Sequence, residues 1–196
     1  MALPLTMTSL SEIEAVNIML GTISVAPVSS IDDSGSLNVS VAKQMLFDTS
    51  REVQTYQYYF NTDKKYPLKR TTDNEIPLPE NTLYVSPDKD FWAYSATPRG
   101  QKLYNGKDHN YKFDKDLTGD VTFFLKWGEL PQAAKQYIAI KAARKFQLRM
   151  LPDDYTSKFS QQEELEAKAQ LEDYDAMTRQ YNLADSNPVF NILNRW

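Results

Sequence analysis

The residues of this chain that could do chemistry are few and scattered. Its one histidine, His109, lies in Asn105-Gly-Lys-Asp-His-Asn110, a polar stretch that reads as a surface turn. General acid–base work would need an ordered partner and a pocket around it. The chain has no Cys, which excludes disulfides, thiolate metal sites and Cys nucleophiles. A single His excludes a His-pair metal site. No Gly-x-Ser-x-Gly is present, and the six glycines stand singly, so no loop cradles phosphate. Asp114-Lys-Asp-Leu-Thr-Gly-Asp120 imitates the start of a calcium loop, with Gly119 at the sixth place. The twelfth place is Leu125, where a bidentate Glu is needed, so the stretch reads as a turn. Glycoside hydrolysis needs two facing carboxylates. Glu75, Glu80, Asp88, Asp90 and Glu129 are candidates, with Tyr84, Trp92 and Trp127 to stack on sugar. Any acidic protein carries such pairs, and these aromatics suit strand packing. A glycan-hydrolysing or glycan-binding part is therefore the alternative, and the leading expectation is no catalytic residue, no cofactor and no metal.

The elements that must position these residues are legible in outline. Ser9-Leu-Ser-Glu12 reads as a capping box opening a first helix. Ile13, Val16 and Leu20 share a face, widened by Ile18 and Met19, and Gly21 is a stop. Residues 22–36 form a loop. A second helix is expected over 37–60, with Ala42, Leu46, Thr49, Val53, Tyr56 and Phe60 on one stripe. Prolines 67, 77, 79, 87 and 98 then forbid long helices. Thr82–Val85, Phe91–Tyr94, Lys102–Tyr104, Tyr111–Phe113 and Val121–Trp127 suit strands. Asn105-Gly106 and Leu117–Asp120 suit turns. A third helix starts at Pro131 and runs to Met150. It carries Lys135, Lys141, Arg144, Lys145 and Arg149, no acid, and an apolar face of Ile138, Ala139, Ala142, Ala143, Phe146 and Met150. A fourth helix over 160–182 opens on Ser160 and Glu163. Its seam is Ala167, Leu171, Tyr174, Thr178 and Tyr181, and its surface is acidic.

The fold class is thus α+β: a four-helix bundle with a small antiparallel β lobe inserted between helices 2 and 3. Residues 1–60 and 131–196 form the helical lobe with a C-terminal tail, and 61–130 form the β-rich insertion. Hydrophobic residues are 41% and charged residues 24% of the 196, as in globular proteins that bury a core. Twenty-two Lys and Arg against 26 Asp and Glu give a net charge of −4, which argues against a dedicated DNA binder. No stretch is apolar enough to span a membrane. The first ten residues hold no Lys or Arg, so no secretory leader is expected, and folding in a cytoplasm is.

Several stretches in order resemble one family. They are Ser11-Glu-Ile-Glu-Ala-Val-Asn-Ile-Met-Leu-Gly21 with Pro27-Val-Ser-Ser-Ile31, and Ile76-Pro-Leu-Pro-Glu-Asn-Thr-Leu-Tyr-Val85. Arg99-Gly-Gln-Lys-Leu-Tyr-Asn105 follows, then Thr118-Gly-Asp-Val-Thr-Phe-Phe124 and Glu129–Gln147, and the acidic Glu163–Tyr174. The set resembles the tail tubular protein A family of T7-like podoviruses, the head-to-tail adaptor or gatekeeper. The resemblance implies a non-enzymatic structural protein of the virion tail, assembled in the host cytoplasm. It implies a dodecameric ring of copies between portal and nozzle (tail tubular protein B), around the channel for DNA ejection, with the tail fibre attached nearby. DNA would pass without sequence-specific binding.

Two site expectations follow. A cyclic interface joins two different patches, so Lys141, Arg144 and Lys145 of one copy would meet Glu163, Glu166 and Glu172 of the next. Phe190, Ile192, Leu193 and Trp196 of the apolar tail would dock on the portal, as buried aromatic anchors do.

Overall fold

The structure is a computed structural model, and it describes residues 9–31, 36–150 and 154–184. Among the described residues the fold is mixed α and β, with four α-helices and small antiparallel sheets. The chain divides into a unit formed by 1–53 with 126–196 and a unit formed by 54–125.

In the first unit, α1 spans Glu12–Gly21 and its N-cap is Ser11, not Ser9. Both serines fit the capping pattern, because Glu12 and Glu14 each stand three residues on. Ser11 takes the cap: its Oγ accepts from Glu14 N (3.3 Å), and Glu14 accepts back from Ser11 N (2.8 Å). Ser9 is engaged elsewhere, donating to Gln132 (3.0 Å) and accepting from Lys135 (2.8 Å). Ala15, Val16, Met19 and Leu20 form the buried face of α1, while Ile18 turns outward.

Helix α2 spans Leu37–Gln54, shorter than the expected 37–60. Ala42, Leu46, Thr49 and Val53 are buried as the stripe requires, and Val39 joins them. Tyr56 and Phe60 leave the stripe, because Gln57 adopts a left-handed φ of 57° that ends the helix. Helix α3 spans Gln132–Met150 and follows Pro131 as expected. Its Ala134, Ile138, Ala139, Ala142, Ala143 and Phe146 are buried, and it packs against both α1 and α4. Short side chains let the neighbouring backbones approach.

Helix α4 spans Asp154–Ala184, so Ser160 lies inside the helix rather than at its cap. Its buried seam is Ala167, Leu171 and Asp175, with Glu164 and Thr178 half-buried; Tyr174 turns outward. The side chain of Tyr181 lies outside the described residues.

The second unit holds β1 (Thr62–Leu68), β2 (Thr82–Pro87), β3 (Thr97–Arg99), β4 (Lys102–Tyr104) and β5 (Leu117–Phe123). A three-stranded antiparallel sheet has the order β1-β5-β2, and β3 and β4 form a hairpin. Leu68, Ile76, Leu78, Val85, Leu103, Phe113, Leu117 and Val121 make its core. Four expectations fail here. The strand expected over Val121–Trp127 ends at Phe123, and Trp127 lies in a 3-10 turn, Trp127–Glu129. Phe91–Tyr94 lies in a 3-10 stretch, Lys89–Tyr94, not a strand. Leu117–Asp120 is strand rather than turn, because Leu117, Gly119 and Val121 alternate into the core. Tyr111–Phe113 makes only a single bridge, Glu75 with Lys112.

The β3–β4 turn is at Gly100, whose φ of 62° suits glycine. The turn expected at Asn105-Gly106, after Lys102–Tyr104, is present over 106–109 and is closed by an antiparallel Asn105–Asn110 bridge. The Asn105 backbone N–H donates to Asn110 O (2.8 Å), and its buried amide donates to Lys112 O (3.0 Å) and Asp108 (2.9 Å).

Edge strand β1 carries a bulge between Asp63 and Tyr66, where Lys65 has a φ of 53°. Asp120 of β5 steadies the bulge by accepting from Lys64 Nζ and from Lys65 N (3.3 Å). On the other side of β5, Gly119 faces Pro87. A Cβ there would stand 2.6 Å from Ser86 O and 2.8 Å from Pro87 Cα, both backbone atoms that cannot swing aside. Gly119→Val should therefore destabilise the chain by about 1–3 kcal/mol, read as a lower urea midpoint with unchanged slope. A variant as stable as the parent would show that β2 is free to move.

Candidate assembly surfaces

Among the described residues, most charged side chains of the third helix and of the calcium-like stretch are held by partners within the chain. In the helical unit the cations of α3 are largely taken up internally. Lys141 Nζ lies 3.1 Å from Glu52 Oε1, and Lys145 Nζ reaches Glu52 Oε2. Arg144 Nε pairs with Glu164 of α4. Lys135 is buried, with its ammonium on Ser9 Oγ. Arg149, by contrast, is exposed and has no ion pair among the described residues.

Glu52 is the anion that sequence reasoning did not single out. The signal was on the other helix: Lys141 and Lys145 stand four apart, so two like charges face each other and need a shared counter-charge. The Lys145 hydrogen bond is the main cause holding the Glu52 carboxyl below its usual range; burial opposes it, and Lys141 adds to the lowering. Burial works to lower Lys141, but the hydrogen bonds to Glu52 and Tyr137 outweigh it and its pKa is raised.

The expected acidic partners lie on α4. Glu163, Glu166 and Glu172 are all exposed. Glu166 accepts from Gln162 (3.1 Å), and Glu172 pairs with Lys168 (3.4 Å). Phe190, Ile192, Leu193 and Trp196 lie outside the described residues. An open groove of about 460 Å³ runs between α2 and α3.

In the β unit the candidate carboxylates are dispersed. Glu75 accepts from Lys102, and Asp88 accepts from Thr118. Glu80 is exposed, and the side chain of Asp90 lies outside the described residues. Glu129 belongs to the helical unit, where it accepts from Lys126 N (2.9 Å). Trp127 lies there too, donating to Leu10 O (2.9 Å). Tyr84 and Trp92 do share a groove, of about 440 Å³, with Pro87 and Pro98; among the described residues no carboxylate lines it.

The acids of the calcium-like stretch are engaged as well. Asp114 accepts from Tyr94 Oη, Asp116 from Arg70 (3.2 Å), and Asp120 from Lys64. Among the described residues, no group of three or more His, Asp or Glu could hold a metal, and no helix is long and apolar enough to cross a membrane. His109 sits exposed at a left-handed φ of 53° beside Tyr104 (3.5 Å).

A comparison with known families bears on the chain as a whole. Residues 13–181 match the tail tubular protein family. The chain belongs to the tail tubular protein family. No curated protein matches it. Tail tubular proteins are structural components of the phage tail, so this one is a virion tail part that assembles with other tail components, and the family is not enzymatic. The match spans both units of this tail tubular protein, β-rich segment included.

The Glu52 pairing sets a pH window. A carboxyl whose folded pKa is depressed adds stability above its unfolded value, about 4.3. That stability is lost as pH falls through the folded pKa. The side chain of Glu52 is 44% exposed, so solvent screens the pair. Glu52→Gln should cost less than about 1 kcal/mol at pH 7, and the gap from the parent should close below about pH 4. A gap that stays constant from pH 7 to pH 3 in urea melts would contradict this assignment.

Proposed function

We propose that this chain is the head-to-tail adaptor, or gatekeeper, of its phage. Copies form a dodecameric ring below the portal and above the nozzle protein, tail tubular protein B, around the channel for DNA ejection. The ring helps provide the attachment site for the tail fibre. In this reading the four helices form one bundle, interrupted in sequence by the β-rich insertion, and assembly takes place in the host cytoplasm. The observation that carries it is the family match across residues 13–181, joined by the ordered stretches that resemble adaptors.

Surface charge supports the ring. A closed ring of identical copies joins two unlike patches head to tail. Helix α4 presents Glu163, Glu166 and Glu172, and α3 presents the cation row Lys141, Arg144 and Lys145. These cations already hold internal acids, so their field reaches a neighbour only in part. The tail residues Phe190, Ile192, Leu193 and Trp196 serve as the portal anchor. DNA passes through the channel without sequence-specific contacts.

Native mass spectrometry of the chain alone and mixed with its portal tests the reading. The expected result is a twelve-membered ring, or one that appears only with portal. Deleting residues 187–196 should abolish portal binding and leave the fold intact. A chain that stays monomeric in both conditions, or one that hydrolyses purified polysaccharide, would overturn the proposal.

A further inference from the structure

The groove between α2 and α3 has features that the pairs inside the chain do not account for. Its walls carry Val41 and Met45, both partly buried. Thr49 lines it too, 1% exposed, and its Oγ1 is buried without a hydrogen-bond partner. A buried hydroxyl left unpaired is costly. On the α3 wall stand Lys145, shared with Glu52, and Arg149, exposed and without an ion pair among the described residues. Asp48 on the α2 wall is occupied by the Gln44 amide (3.0 Å).

Helix α4 carries the complement on a face separate from its buried seam. At 100° per residue, Glu163, Glu166, Gln170, Asp173, Tyr174 and Met177 fall within about 100° of one another. Met177 is 63% exposed and Tyr174 40%. Glu163 and Asp173 have no ion pair among the described residues. This face therefore sets exposed apolar side chains beside acids with no ion pair among the described residues, and the groove sets Val41 and Met45 beside a guanidinium with none among them.

We propose that the α2–α3 groove receives the Tyr174–Met177 face of α4 from the next copy of this chain. A helix is about 10–12 Å across, so α4 lies over the groove's mouth and inserts side chains. Met177 and Tyr174 cover Val41 and Met45, and Asp173 pairs with Arg149. The inference rests on the ring reading and names its contact: Arg149 takes the place of the internally paired Lys141 and Arg144.

The chain has no Cys, so introduced thiols report cleanly. A Met45→Cys chain and a Met177→Cys chain, mixed and oxidised, should give a disulfide-linked heterodimer. Neither chain alone should dimerise. Arg149→Glu and Asp173→Arg should each abolish the ring in native mass spectrometry, and both changes in one chain should restore it. Both sites are exposed, so the folded monomer should persist, read by its thermal unfolding. A ring that survives both single changes and gives no cross-link overturns the groove contact while leaving the ring reading standing. A parent chain that forms no ring, alone or with portal, overturns both.

Discussion

Helix α3 imposes the central condition on the helical unit: a segment with five cations and no acid is buried along most of its length. An unpaired buried charge is prohibitive, so every cation facing the interior must find a partner. Lys135 finds the Ser9 hydroxyl, Lys141 and Lys145 share Glu52, and Arg144 takes Glu164. These partners tie α2 and α4 to α3 at Glu52 and Glu164. The alanines between them let the backbones come close enough for the pairs to form. Arg149, in the last turn and exposed, escapes the condition.

The β unit solves a different problem, that of holding short strands with little regular pairing. Strand β5 runs between β1 and β2 and supplies the inward residues Leu117 and Val121. Its glycine lets β2 lie close, and its aspartate satisfies the bulge in β1. Side chains do the rest. Asn105 ties a loop that no ladder supports, and the Gln54 amide grips the backbone of Leu125 through both its oxygen (2.7 Å) and its nitrogen (3.0 Å). Such a unit is specified by a few polar residues as much as by its apolar core.

These polar residues are what the sequence conceals. Helical periodicity exposed α3 and the buried stripe of α2, because a 3.6-residue repeat is visible over eighteen residues or more. It extended α2 too far, since the break depends on the left-handed Gln57, a residue type with no preference for that conformation. The two serines before α1 were equally good caps on paper; only the long-range engagement of Ser9 by α3 separates them. Similarly, Leu117-Thr-Gly-Asp120 looks like a turn by composition, and only the close approach of β2 explains its glycine. The candidate surfaces show the same limit. Charge by element was readable, but which charges are spent inside the molecule depends on contacts far apart in sequence, such as Lys145 with Glu52.

The bulged strand β1 has a consequence for a protein that assembles with other tail components. An outer strand with free backbone groups is an invitation to zip onto a neighbour. Here the bulge at Lys64 and Lys65 breaks the repeat, and Pro67 withholds a donor. Sideways stacking of one copy's ribbon on another's is thereby discouraged.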